Sequence, residues 1–195
     1  MLILSILSFI IFYVFIGYPI AVCLLSRIFS RRHQQDENYI PTMTLVISAY
    51  NEESVIRQKL QNSLSLDYQK EKLNIVVVSD CSSDGTDDIV REYATKGITL
   101  VRSPERLGKT AGLNLAMAQI DTELVVFSDA NAIYEPSALR CLARHFTDQK
   151  IGYVVGQAKY QKSEHDSAAE TSEVAYWQIE TNLKIWESSL SSVVG

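Results

Sequence analysis

With 195 residues, 47% of them hydrophobic, the chain can form one core of moderate size plus a small appendage. Its formal net charge of −5 comes from 18 Lys and Arg against 23 Asp and Glu spread along the chain, which excludes the basic stripe of a nucleic-acid binder. Cys23, Cys81 and Cys141 are odd in number and form no CxxC pair, which excludes a disulfide framework or zinc site and fits a reducing compartment.

Leu2 to Leu25 contains no charged residue and is rich in Leu, Ile, Phe and Val. About 20 such residues cross the hydrocarbon core as a helix. Gly17 and Pro19 lie inside the stretch, which membrane helices tolerate. A secretory signal peptide would need a basic residue before the apolar run, a shorter core and a small-x-small cleavage site, and the stretch has none of these. Arg27, Arg31 and Arg32 follow, so the positive-inside rule places the C-terminal side in the cytoplasm. Residues 1–26 are thus expected to be a single-pass anchor in the cell (inner) membrane, and 27–41 a juxtamembrane linker.

Pro41 marks entry to the expected soluble part. Met43 to Ser48 is the first expected strand. Glu52 to Leu64 has helical spacing, with Val55, Ile56, Leu60 and Leu64 on one side. Leu73 to Ser79 is the second strand, and Asp87 to Ala94 a helix that Gly97 ends. Thr99 to Arg102 is a third strand. Gly108 to Gln119 is a helix with Leu113, Ala116 and Met117 inward. Leu124 to Ser128 is the fourth strand, and Pro136 suits the first turn of a helix running to Phe146. Ile151 to Gly156 is the fifth expected strand. Ala168 to Leu190 is a longer helix whose stripe of Ala175, Ile179, Leu183, Trp186 and Leu190 core packing explains. This alternation implies right-handed βαβ units and a parallel, doubly wound sheet.

Two of these strands run into an acid, Val76-Val77-Val78-Ser79 into Asp80 and Val125-Val126-Phe127-Ser128 into Asp129. Ligands of open α/β sheets bind beyond the carboxyl ends of the strands. Two acids at that edge suit something cationic or metal-bearing. No GxGxxG follows the first strand, and Ser103 stands where a P-loop ending in Gly108-Lys109-Thr110 needs its first glycine. After the first strand comes Ser48-Ala49-Tyr50-Asn51-Glu52-Glu53. Asn51 can cap the next helix, with acids in its first turn. Equally, Tyr50 offers an aromatic surface and Ser48 a hydroxyl to a nucleobase. Ser83 or Asp84 can cap the helix after the second strand, which leaves Asp80 free to accept from a base N–H. Asp129 and Asn131, two apart, offer oxygens to a hard divalent cation such as Mg²⁺ or Mn²⁺, which would hold a diphosphate. Lys109 adds a point charge at a helix start.

In order, Val46 to Glu53, Val78 to Thr86, Gly108 to Asn114 and Phe127 to Asn131 resemble glycosyltransferase family 2, inverting enzymes that use nucleotide-diphosphate sugars. The resemblance covers roughly 42–157. It implies a GT-A fold, a Rossmann-like, mostly parallel α/β sheet with flanking helices, here preceded by one transmembrane helix. It aligns Ser48, Tyr50 and Asp80 with the family's uracil contacts, with Glu52 beside them. It places Lys109 in the segment that approaches the diphosphate, and Asp129 as the first acid of the DxD-type motif. Asn114 falls in a packing role.

Asn131 stands where the family usually has a second Asp. An amide oxygen ligates a hard cation without adding charge, so weaker metal binding is expected. Residues 42–160 are expected to be the nucleotide-sugar-binding part, and 161–195 a helical segment leading to an acceptor-site region beyond Gly195, which would carry the general base. Glu164, Asp166, Glu170 and Glu180 are taken as a solvated helix face. The function implied is transfer of a sugar, from a UDP-sugar, to a saccharide or lipid-linked acceptor in envelope polysaccharide synthesis. The alternative is a non-catalytic, membrane-anchored nucleotide-sugar-binding module, or one half of an enzyme whose second polypeptide supplies the acceptor half. A nucleotidyltransferase would need a Gly-rich, Lys/Arg-bearing loop where this chain has Ala49-Tyr50-Asn51-Glu52.

Overall fold

The structure, a computed structural model, describes residues 1–29, 34–157 and 168–190. The chain forms two compact units, residues 34–155 and the two terminal segments.

In residues 34–155, four strands form one parallel sheet in the order β3-β2-β1-β4. They are β1 (Met43–Ala49), β2 (Leu73–Ser79), β3 (Ile98–Arg102) and β4 (Leu124–Asp129). β1 lies between β2 and β4, pairing Ser48 with Val78 on one side and Asp129 on the other. Buried on both faces, it reads as the near-continuous apolar run expected of a central parallel strand. Leu45, Val46 and Ile47 are fully buried, and each such side chain contributes about 1.5–3 kcal/mol through removal from water.

The two faces are covered unequally. Met43, Leu45, Ile47, Ile75, Val77 and Ile98 meet Ile56 and Leu60 of α3 (Glu53–Leu64), Val90 of α4 (Thr86–Glu92) and Leu139 of α6 (Ala138–Ala143). On the other face Val46 and Val78 pack on Ala116 of α5 (Lys109–Met117). α5 approaches β2 closely at Gly112, where a Cβ would come within 2.9 Å of Val78 Cγ1. Gly97 has φ +86°, and its left-handed conformation closes the turn from α4 into β3.

The chain runs outward from β1 through β2 to β3, then crosses back to place β4 on the opposite side of β1. The carboxyl ends of β1 and β4 therefore form a topological switch point, where open α/β sheets bind ligands.

Several expectations change, among them Met117, expected inward but 39% exposed, and Asn114, expected to pack but exposed. The fifth strand is absent: residues 151–157 have no regular structure, and Tyr153 and Val155 are 65% and 66% exposed. A run rich in β-branched and aromatic residues becomes a strand only when it finds an edge to pair with, and that partner is not written in the run itself. Asn51 is not the cap of α3. It adopts φ +54°, its side-chain oxygen accepts from Ser83 N–H at 2.9 Å, and Glu52 takes the cap position. α6 begins two residues after Pro136, and its last turn tightens to a 3₁₀ helix over Arg144–Thr147.

In the other unit, α1 (Leu2–Phe12), a π-helical turn over Tyr13–Gly17 and α2 (Tyr18–Phe29) make one helix, Leu2–Phe29, long and apolar enough to cross a membrane. α7 (Ala168–Leu190) belongs to the same unit, where Tyr18 hydroxyl donates to Glu187 Oε1 and Trp186 lines an apolar cleft with Pro19, Ile20, Cys23 and Leu24. Leu183, Trp186 and Leu190 are half-buried, whereas Ile179 is exposed. Glu180, expected on a solvated face, is half-buried and pairs with Lys184 at 2.9 Å. Arg31, Arg32, Glu164 and Asp166, and the side chains of Glu170 and Ala175, lie outside the described residues.

Candidate donor-binding site

The loops after β1 and β2 hold each other. Glu53 N–H donates to Asp84 Oδ2 at 3.1 Å, and Gly85 N–H donates to Glu53 Oε2 at 3.2 Å. Glu52 N–H donates to Thr86 Oγ1 at 2.8 Å, and Asp84 Oδ1 accepts from Thr86 N–H at 3.0 Å. Each acid satisfies an orphan amide at the start of the other's helix, where the helix dipole also favours negative charge. Desolvation pushes the Asp84 carboxyl up, but hydrogen bonds from the Thr86 hydroxyl and from the Thr86 and Glu53 amides outweigh it and leave the group lowered. Arg102 on β3 braces the same loop by pairing with Asp87 and donating to Ser82 carbonyl at 3.1 Å.

Asn51 and Cys81, just past the ends of β1 and β2, have φ of +54° and +60°. Left-handed non-glycine residues cost about 1–3 kcal/mol each and gather at binding sites, where the surrounding hydrogen bonds over-determine them.

Asp80 directly follows β2 and is 8% exposed. Its Oδ1 accepts from Leu107 N–H at 3.0 Å and Gly108 N–H at 3.2 Å, and its Oδ2 from Gly108 N–H at 3.0 Å. A carboxylate offers about four acceptor directions, so one remains open. Asp80 therefore also anchors the turn that launches α5 and delivers Lys109. In the same turn the Arg106 guanidinium lies 4.0 Å from the centroid of the Tyr50 ring. The aromatic face is thus present and is covered by a cation in this state.

Lys109, first residue of α5, reaches Asp129 at the end of β4 with Nζ–Oδ1 2.5 Å. The two are 57% and 60% exposed. Ser48 is half-buried, with its Cα in register with Asp129. Asn131 is exposed, and Ala130 between it and Asp129 is buried. The expected residues therefore gather along the edge formed by β2, β1 and β4. Glu52 is the exception in kind, since its backbone serves the loop scaffold.

Asp129 and Asn131 fit a hard divalent cation by their oxygen chemistry, but among the described residues no three His, Cys, Asp or Glu converge as a complete cage. Mg²⁺-type sites commonly use one or two carboxylates plus substrate phosphates. Such a cation would lean on oxygens of a bound diphosphate.

Sequence reasoning passed over Arg106, Lys59 and Asn62. Lys59 carries a signal, standing with Ile56, Leu60 and Ser63 on the buried stripe of α3 at i, i+3, i+4, i+7 spacing. The partners of Arg106 and Asn62 are fixed only by the tertiary structure.

The parallel α/β sheet with flanking helices, carrying acids and a lysine at its switch point, has the GT-A fold. The family model "Glycosyl transferase family 2" matches residues 44–191, and the chain belongs to that family. It is 36% identical over 124 residues to the probable glycosyltransferase YdaM of Bacillus subtilis (strain 168), covering 60% of this chain and 30% of that protein. It is 29% identical over 119 residues to the poly-beta-1,6-N-acetyl-D-glucosamine synthase of Staphylococcus aureus (strain COL), covering 60% of this chain and 28% of that one. Among solved structures, the mannosyltransferase PcManGT from Pyrobaculum calidifontis, in complex with GDP-Man and Mn²⁺, superposes with TM-score 0.65 at 31% identity. That match covers 72% of this chain and 43% of the other. The chain thus spans about 30% of the length of the curated relatives it matches.

Proposed function

We propose that this chain binds a nucleoside-diphosphate sugar, a UDP-sugar, as the donor part of an inverting glycosyltransferase of envelope polysaccharide synthesis. The observation that carries the reading is the convergence of Asp80, Tyr50, Lys109 and Asp129 at one switch point. Tyr50 offers its ring to the base, and Ser48 and the open acceptor direction of Asp80 read the base edge, with Glu52 at the rim. Lys109 exchanges its contact with Asp129 for the diphosphate. Asp129 and Asn131 present oxygens to a Mg²⁺ or Mn²⁺ ion, which when bound stabilises the leaving diphosphate as a Lewis acid. The acceptor is a saccharide or a lipid-linked sugar. The described residues at the switch point serve donor binding, and none of them is placed as the general base that activates the acceptor. A second polypeptide supplying the acceptor half is consistent with that reading. Leu2–Phe29 anchors the domain on the cytoplasmic side, where nucleotide sugars are made.

Calorimetry with UDP, GDP and Mn²⁺ tests the assignment. The expected result is UDP binding strengthened by Mn²⁺, lost in Asp80→Ala and stripped of its Mn²⁺ dependence in Asp129→Ala. Tighter binding of GDP than UDP would overturn the uracil assignment. Mn²⁺ dependence that survives Asp129→Ala would overturn the metal assignment.

A further inference from the structure

α3 turns an unusual residue into the core. Lys59 is 0% exposed, between Ile56 and Leu60, which serve the packing. Its ammonium donates to Ala132 carbonyl at 2.5 Å and lies 3.9 Å from the centroid of the Tyr134 ring. Nearly one turn later, Asn62 closes a ring of two hydrogen bonds with one peptide residue. Its Nδ2 donates to Tyr134 carbonyl at 2.8 Å, and its Oδ1 accepts from Tyr134 N–H at 2.9 Å. Three hydrogen bonds and a cation–π contact thus tie α3 to residues 132–134.

Those residues follow Asp129-Ala130-Asn131 without a break. Ala130 is buried beneath the loop, and Ala132 N–H donates back to Asp129 carbonyl at 3.2 Å. The loop that bears Asn131 is therefore held at its start by β4 and at its end by α3. Among the described residues no carboxylate forms an ion pair with Lys59. A buried ammonium with one carbonyl and one ring is a costly way to fill core space, which a Met or Leu would fill without penalty. Packing does not explain it, whereas its contacts all lead to the segment after β4.

We propose that Lys59 and Asn62 are positioning residues of the donor site, clamping Ala132–Tyr134 so that Asp129 and Asn131 keep the spacing needed to share a diphosphate-bound divalent cation. The proposal rests on the donor-site reading above. It assigns the two α3 residues no contact with the donor. Asn62 acts only through the loop, whereas the Lys59 ammonium also lies within Coulombic reach of Asp129; both govern the metal-dependent part of diphosphate binding and leave base recognition at β1 and β2 untouched.

The test uses the full chain in detergent, as parent, Lys59→Met and Asn62→Ala. Three quantities are measured: uridine affinity, UDP affinity with and without Mn²⁺, and hydrogen exchange of the 129–134 segment without ligand. In both variants exchange of that segment speeds up, the gain in UDP affinity from Mn²⁺ falls about tenfold, and uridine affinity stays within about twofold. A brace with no role in the site would change exchange and melting temperature but move uridine and UDP·Mn²⁺ affinities together, or neither. Retention of the parent's full Mn²⁺ gain in both variants overturns the proposal alone. A parent that shows no Mn²⁺ gain overturns the donor-metal reading, and the proposal with it. Should Lys59→Met fail to fold, Asn62→Ala, which removes only a partly exposed amide, decides the outcome by the same criteria.

Discussion

At the residue scale, the site is built from side chains with two tasks. Asp80 offers a carboxylate to a base and at the same time ties down Leu107 and Gly108. Lys109 and Asp129 pair with each other, yet each is more than half exposed. An exposed pair of this kind adds little to stability, so Lys109→Met should shift the melting temperature by less than about 2 °C. The same variant should weaken UDP about tenfold more than uridine, since it removes a charge aimed at the phosphates, and parallel titrations of both ligands check this. Lys59 behaves oppositely. Burial lowers its pKa from 10.5 to about 8, and the Asp129 charge offsets only part of that effect. Below pH 8 the lysine is charged in both folded and unfolded chains, and the folded state bears the full cost. From about pH 8 to 10.5 the unfolded chain binds more protons, so stability rises with pH across that window, by up to about 3 kcal/mol. Tyr68, whose hydroxyl donates to Pro41 carbonyl at 2.6 Å, is pushed by burial up to about 12, so above its ordinary value of 10.0 it acts in the opposite direction. Denaturant unfolding between pH 7.5 and 9.5 should show the rise in the parent and a flatter profile in Lys59→Met.

At the element scale, the strands and helices of 43–129 follow from local pattern: β-branched runs for the strands and 3.6-residue spacing for α3. α5 depends on a detail that pattern does not show. Its Gly112 admits the helix to within van der Waals reach of Val78. Replacing a helical glycine with alanine ordinarily gains up to about 1 kcal/mol. Here the new methyl meets a β-branched side chain that is itself buried, and overpacking of this kind costs about 1–3 kcal/mol. Gly112→Ala should therefore destabilise the domain by roughly 1 kcal/mol. In a Val78→Ala background the same change should become neutral or stabilising, and a double-mutant cycle on unfolding free energies reads the coupling directly. The run 151–156 shows the reverse case: its Tyr153, Val154 and Val155 suit a strand, yet it pairs with no strand among the described residues.

At the scale of the whole molecule, two units divide the work, one apolar helix with α7, and one parallel sheet carrying the site. If Leu2–Phe29 is the anchor, the parent should stay with membranes through alkaline carbonate extraction. Ile10→Asp together with Ile11→Asp should release it, because each charge at a helix centre costs about 2.5–3.5 kcal/mol on insertion. Sequence alone was enough to determine the acids at the strand ends, the apolar N-terminal helix, the α/β alternation and the ordered motifs from Ser48 to Asn131. Those features are local: a run of Val and Ile, a turn glycine or an acid after a strand carries its meaning within a few residues. The tertiary structure alone decided the rest. It set the order β3-β2-β1-β4, the exchange of helix-start acids between Glu53 and Asp84, the Arg106 cover on Tyr50, and the grip of Lys59 and Asn62 on the loop after β4. These join residues from 23 positions apart, as Ile75 with Ile98, to 81 apart, as Met43 with Leu124, and such pairings follow from which surfaces the packed chain brings together rather than from any nearby pattern.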